Sequence, residues 1–159
     1  MRIKPVELDS TTALSFPGKI PLSYRYTAGL GGIKFYQDLA RGKLSASKCP
    51  QWGQVMIPPA GFCESCLTSF EPGRNAKALD PRAGRVASYT VMHEDRSGHL
   101  LDKPQIVVQV VFPEVRGSIF GRLQATDPAK VSVGMPVELV RGKKNQGPEG
   151  VWFKPRRRR

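Results

Sequence analysis

Three cysteines are the residues whose type and spacing could do chemistry. Cys63 and Cys66 form a C-x-x-C pair, and Cys49 precedes them within the same segment. Zinc is held tetrahedrally by Cys or His side chains, and a tight turn lets both thiolates of such a pair face one ion. An odd number of cysteines does not complete a set of disulfides. The pattern therefore predicts a zinc site at Cys49, Cys63 and Cys66.

The fourth ligand of a structural zinc site is missing from this pattern. Residues 49–53, CPQWG, have the form of a second metal-binding turn, but Trp52 holds the position of its second cysteine. Two interpretations follow. Either zinc is retained on three thiolates with a water or an outside ligand, or the metal is lost and Trp52 packs the space apolarly. An open fourth position can also make zinc catalytic, but the sequence places no general base nearby.

A short helix is predicted upstream of the cysteines. Apolar residues recur from Ile33 to Ala40 at the spacing of one helical face, and Gly42 is a plausible stop. We expect an extended arm over residues 1–31 and an amphipathic helix over residues 32–43. The face formed by Phe35, Tyr36 and Leu39 is explained by core packing, or alternatively by a role in lining an acyl chain.

The rest of the chain is predicted to be β-structure. Residues 44–72 contain the cysteines and tight turns, which favours a zinc-ribbon module, and residues 71–84 have the Pro, Gly and charge content of a linker. Five strand-like runs bounded by turn residues follow, at 85–94, 105–112, 117–125, 130–140 and 150–154. Five short antiparallel strands fit an OB-fold barrel, which we place at residues 82–155.

The charge of the chain is concentrated at its end. The formal net charge is +12, of which +7 lies after residue 140. The basic tail, residues 156–159, consists of Arg156, Arg157, Arg158 and Arg159. Such a run is either a solvated tail or a contact for phosphates or an acidic partner surface. No apolar stretch reaches membrane-spanning length, and the first residues do not resemble a secretory signal, which together favour a cytoplasmic protein with no membrane partner.

Four ordered motifs resemble one known family. They are FYQDLARGKL at residues 35–44, the Pro58-Pro59 pair before the C-x-x-C turn, GRVASYTV at 84–91 and VGMPV at 133–137. Together they resemble the thiolase-associated acyl-CoA-binding subunits, formerly a domain of unknown function. The resemblance implies a mainly β fold with an N-terminal helix, a rubredoxin-like zinc ribbon and a five-stranded OB-fold barrel. Trp52 departs from the four-cysteine pattern of that family.

The resemblance also implies a function. It points to a non-catalytic accessory subunit of a thiolase-type complex, which binds acyl-CoA and supports a thiolase-fold catalytic subunit. Its implied ligands are zinc and acyl-CoA, with the latter near Phe35, Tyr36 and Leu39. The alternative is nucleic-acid binding, since zinc ribbons and OB barrels both serve that role. A stand-alone enzyme is disfavoured, because His93 and His99 are the only histidines and no nucleophile–base set is visible.

Overall fold

A computed structural model of the chain describes residues 28–71, 73–95, 97–124, 127–140 and 150–156. Most of the predicted N-terminal arm lies outside these residues, as do Arg157, Arg158 and Arg159 of the basic tail. In the described part of the chain, no helix is long and apolar enough to span a membrane.

The described elements are one helix and nine strands, with a short 3₁₀ turn. Their bounds, in chain order, are α1 (Leu30–Ala40), β1 (Leu44–Lys48), β2 (Val55–Ile57), β3 (Ala76–Leu79), β4 (Gly84–Glu94), β5 (Leu100–Val111), β6 (Val115–Gly117), β7 (Ile119–Leu123), the 3₁₀ turn (Pro128–Lys130), β8 (Pro136–Val140) and β9 (Trp152–Pro155). The predicted mainly β fold with one N-terminal helix is confirmed.

Helix α1 packs its apolar face inward. Phe35 and Leu39 are buried, and the helix ends just before Gly42, whose φ of 72° is readily adopted only by glycine. Asp38 is also buried, and its carboxylate accepts a hydrogen bond from Lys34 Nζ at 3.0 Å. The helix begins two residues earlier than the predicted start.

A four-stranded sheet carries the cysteine segment, with strand order β3-β1-β2-β6. Strand β1 is antiparallel to both β2 and β3. Residues 71–84 were predicted to be a linker, and this was wrong for the middle of the segment. Residues 76–79 form β3, which pairs with residues 44–47 of β1. The sequence of β3, AKAL, has no β-branched residue, so its composition does not predict a strand. The segment is a strand because its backbone pairs with β1.

The five-stranded OB barrel is confirmed. Its strands close in the order β4-β5-β7-β9-β8, with β8 pairing back to β4. Phe153 of β9 fills the centre and is fully buried with Val108, Val110 and Val137. Gly121 faces this ring, and a Cβ there would lie 2.8 Å from it. The barrel interior is therefore closely packed around one aromatic side chain.

Two details of the barrel differ from the predictions. The predicted strand at 130–140 is shorter, because residues 128–130 form a 3₁₀ turn whose N-terminus is capped by the Asp127 carboxylate. Gly134 then turns the chain with a φ of 82° before β8 begins. In β5, buried residues alternate with half-buried ones from Gln105 to Val111, although the apolar residues of the run at 105–112 are nearly continuous and would by themselves predict a strand covered on both faces. A barrel strand has only one face inside.

Strand β6 joins the cysteine-bearing sheet to the barrel. It lies between β5 and β7 in the chain, yet it pairs in parallel with β2 and not with the barrel. At the end of this pairing Gly117 has a φ of 91°, and a Cβ there would overlap the carbonyl oxygen of Ile57. Only glycine allows the two backbones to approach this closely.

We predict that Gly117→Ala destabilises the fold more than a matched glycine substitution. Gly98 shares the positive φ, at 81°, but a Cβ there has nothing within 4 Å. Gly98→Ala should cost about 1 kcal/mol from backbone conformation alone. Gly117→Ala should cost about 1–3 kcal/mol more, because a backbone carbonyl must move. Urea denaturation of both variants measures the difference, and equal midpoints would contradict the prediction.

Candidate metal centre and apolar groove

The three cysteines meet in one cluster. Their sulfur atoms all lie within 4.8 Å of one another, and Cys49 Sγ is 3.6 Å from Cys66 Sγ. A tetrahedral zinc with metal–sulfur distances of about 2.3 Å has sulfur–sulfur edges of about 3.8 Å. Cys49 and Cys63 are fully buried beside Met56 and Phe70. The donor set and its spacing therefore fit a zinc ion.

Two turns of the same backbone geometry present these cysteines. In the first, the Gly53 N–H donates to the Cys49 carbonyl at 2.9 Å; in the second, the Leu67 N–H donates to the Cys63 carbonyl at 2.8 Å. Gly53 and Leu67 both have positive φ, at 68° and 58°. The N–H groups of Cys49 and Cys63 each donate to the carbonyl five residues later. Trp52 is thus the structural equivalent of Cys66.

Trp52 does not fill the space beside the thiols. Its side chain is 70% exposed, so the interpretation in which the indole packs the site apolarly is not what the structure shows. The backbone turn of a metal site is retained at residues 49–53, while the fourth side chain points to solvent. The three thiols and the retained turn are compatible with a metal ion.

Thr68 was missed by the sequence analysis. Its hydroxyl lies 3.2 Å from Cys66 Sγ, and hydrogen bonds from this hydroxyl and from the Thr68 N–H lower the pKa of the Cys66 thiol to about 7. Burial raises the pKa of the Cys49 thiol. A threonine two residues after a C-x-x-C pair was the available signal. The Cys66 thiol therefore ionises more readily than the Cys49 thiol.

We predict that Cys66 in metal-free protein is alkylated half-maximally near pH 7. Its pKa is lowered from 9.0 to about 7, so the reactive thiolate is present above pH 7 and lost below it. Thr68→Val removes the hydroxyl donor, raises this pKa, and should slow alkylation at pH 7 several-fold. Thr90→Val, at an exposed threonine of β4, is the control. Mass spectrometry of iodoacetamide-treated protein measures the rates, and zinc should protect the residue.

If Thr68→Val and Thr90→Val are alkylated at equal rates at every pH, the threonine hydroxyl does not control the Cys66 thiol. A pH midpoint near 9 in the unsubstituted chain would contradict the lowered pKa itself.

An apolar groove of about 590 Å³ lies beside the cysteine cluster. Its floor is β1 at residues 45–47, and its walls are the first turns of α1 and residues 58–61. Ala60 and Phe70 line the groove and also pack on the cysteine cluster. The hydroxyl of Ser45, on the floor, is buried without a hydrogen-bond partner, which leaves a polar group still to be satisfied.

The residues predicted to contact acyl-CoA divide into two groups. Phe35 and Tyr36 line the groove, with their rings edge to face at 5.6 Å between centroids. Leu39 is not among the lining residues and packs in the core, as does most of the Phe35 ring. Lys34 also lines the groove, at its polar edge.

Arg156 is the one residue of the basic tail within the part of the chain that the structure describes. It is exposed, and its backbone N–H donates a hydrogen bond to the Pro136 carbonyl.

Nucleic-acid binding, the alternative function, would need exposed aromatic rings on the barrel, and most of the barrel's aromatic residues do not provide them. Phe112 and Phe153 are core residues, while Trp152 is half-buried with the Arg122 guanidinium 5.5 Å from its ring centre. Phe120 and Tyr89 remain exposed. Stacking of successive bases needs several exposed rings along one binding path. Phe120 and Tyr89 alone would provide only a short path.

Comparison with known proteins identifies the barrel. Residues 78–141 match the family model described as the ChsH2 C-terminal OB-fold domain. The predicted family resemblance is thereby confirmed for this part of the chain.

Relatives extend the similarity beyond the barrel. A DUF35 domain-containing scaffold protein of Methanothermobacter thermautotrophicus is 29% identical over 112 residues, covering 70% of this chain and 81% of the relative. A DUF35 protein of unknown function from Sulfolobus solfataricus has the same fold, with a TM-score of 0.65 at 23% identity, over 80% of this chain and 87% of that one. A chain of the Ltp2–ChsH2(DUF35) aldolase structure also has this fold, with a TM-score of 0.61 at 21% identity. The match covers 82% of this chain and 98% of that one.

Proposed function

We propose that this chain is a non-catalytic accessory subunit of a thiolase-type acyl-CoA enzyme complex. In this role it binds part of an acyl-CoA and stabilises or activates a thiolase-fold catalytic subunit. The observation that carries the proposal is the apolar groove between α1 and β1, which joins an apolar lining to a buried hydroxyl still without a partner. Concave apolar sites with a few polar groups are typical of small-molecule binding.

The names of the relatives support an accessory role. The archaeal relative is called a scaffold protein, and one protein of the same fold is named together with Ltp2 as an aldolase. A scaffold holds or completes another protein's site. For this chain we infer a partner enzyme and no chemistry of its own.

The histidines agree with that inference. His93 and His99 both lie exposed near the end of the β4–β5 hairpin, and His99 Nδ1 is 3.4 Å from the Asp95 carboxylate. Asp95 also accepts hydrogen bonds from the N–H groups of Ser97 and His99, which lower its pKa. The carboxylate thus organises a turn. In the described part of the chain, no serine or cysteine is hydrogen-bonded to either histidine, as a nucleophile–base pair would require.

The chemistry of coenzyme A suits the groove and its surroundings. Its pantetheine arm and acyl group need an apolar channel, which Phe35 and Tyr36 line, while its phosphates need cationic donors. Lys34 is one such donor at the groove, and the basic tail, residues 156–159, is a further candidate for phosphate or for an acidic face of the partner. We propose the small subunit of benzoylsuccinyl-CoA thiolase as one candidate identity for this chain, so an aromatic acyl-CoA is the first substrate to test. We place the complex in the cytoplasm.

The accessory role predicts activity only in the complex. The isolated chain should not cleave benzoylsuccinyl-CoA with free coenzyme A, whereas the chain co-produced with a thiolase-fold subunit should form a stable complex. That complex should turn over faster than the thiolase-fold subunit alone by at least about tenfold, or 1.4 kcal/mol of transition-state stabilisation. Thiolysis is followed by loss of the acyl-CoA thioester. Turnover by the isolated chain at a comparable rate would overturn the accessory role.

The groove predicts a specific loss of acyl-CoA affinity on substitution of Tyr36. Tyr36→Ala removes an aromatic wall and should weaken benzoyl-CoA binding about tenfold, since the lost apolar contact is worth about 1–2 kcal/mol. Ile33→Ala on the same helix is the control, because Ile33 is 45% exposed and does not line the groove. Isothermal titration measures affinity, and circular dichroism checks that both variants stay folded. Equal affinities would place the acyl group elsewhere.

A further inference from the structure

We propose that the cysteine centre is a three-thiolate metal site whose fourth coordination position is open to a small thiol from solution, with Trp52 as the residue that leaves it open. The three cysteines do not line the groove, so the ligands of the metal are independent of the groove and of the accessory role.

The backbone identifies where a fourth ligand of this chain would originate. The turns at 49–53 and 63–67 have matching hydrogen bonds and matching positive φ at their fifth residues. The turn at 63–67 delivers Cys66 from its fourth position, so the turn at 49–53 would deliver a ligand from position 52. Position 52 holds an indole, which donates a hydrogen bond but has no lone pair for a metal.

The described residues offer no substitute. The cluster of potential metal ligands contains Cys49, Cys63 and Cys66, with no histidine or carboxylate among them. Glu64, inside the C-x-x-C pair, is engaged at 3.0 Å with the Arg116 guanidinium of β6. The Thr68 hydroxyl lies 3.2 Å from Cys66 Sγ, and neutral hydroxyl groups are not among the side chains that zinc uses. The fourth ligand therefore comes from outside the described chain.

The open position faces solvent. Cys49 and Cys63 are fully buried, whereas Cys66 is half-buried and Trp52 is 70% exposed. The residues at the fourth positions of the two turns, Trp52 and Cys66, are thus more exposed than the cysteines at the first positions. A ligand arriving from solution meets the metal there and does not have to cross the core.

Charge and softness favour a thiolate as that ligand. Three thiolates on a divalent ion already make a soft centre, and soft sulfur ligands are preferred there. A nearby cation offsets part of the added negative charge: the Lys48 side chain runs alongside Gly53, with its Cε 3.9 Å from the position of a Cβ there. A fourth thiolate from solution would restore the charge of a four-cysteine site.

Cobalt substitution tests this with three proteins. Full-length chain, Trp52→Cys and Trp52→Ala are loaded with Co²⁺, and 2-mercaptoethanol is then titrated in. Near-ultraviolet thiolate-to-cobalt absorption grows with the number of sulfur ligands. In the unsubstituted chain and in Trp52→Ala it should rise by about one third, as four sulfurs replace three. In Trp52→Cys it should already be at the higher value and should not respond.

Two outcomes overturn the proposal. One is an unsubstituted chain that binds cobalt but does not respond to the thiol, which means that the chain supplies its own fourth ligand. The other is an unsubstituted chain that takes up no cobalt while Trp52→Cys does. Should Trp52→Cys fail to fold, zinc-edge X-ray absorption of the unsubstituted chain counts the ligands directly. Three sulfurs and one lighter atom, changing to four sulfurs with thiol, support the proposal; an unchanged shell contradicts it.

Discussion

The parallel contact between β2 and β6 is the constraint on which the arrangement of this protein depends. It fixes a strand of the cysteine-bearing sheet against a segment that leaves the barrel between β5 and β7. The contact tolerates no side chain at Gly117, because the Ile57 carbonyl occupies that space. One continuous core follows from it, in which Phe35 of the helix, Ile57 of β2 and Phe153 of the barrel belong to the same cluster. The helix, the cysteine-bearing sheet and the barrel thus share one core, and the cysteines form a second, smaller cluster with Met56 and Phe70.

The sequence was informative where local pattern and final structure coincide. The helix was readable from its apolar spacing, and the barrel from five strand-like runs, because their buried faces are formed by residues close together in the chain, such as Val108 and Val110. Strands β3 and β6 were not readable. They are three or four residues long, and they are held by distant partners rather than by their own composition. A pattern read locally contains no information about such pairings.

The site shows the same division. Cysteine spacing located the three thiols, and the glycine after Trp52 indicated the turn. The outward direction of the indole and the hydroxyl beside Cys66 required coordinates, since both depend on side-chain orientation. The aromatic face of α1 was ambiguous for a physical reason. Phe35 packs in the core and also borders the groove, so burial and ligand contact are not alternatives for this residue.

The position of β6 in the chain also has a consequence for the order of assembly during synthesis. Val55 pairs with Val115, 60 positions later. A chain emerging from the ribosome therefore exposes its cysteines, with β1 and β2 complete, well before the outer strand of that sheet exists. Closure of so long a loop is slow relative to local contacts. In that interval the sheet consists of β1, β2 and β3 without its fourth strand.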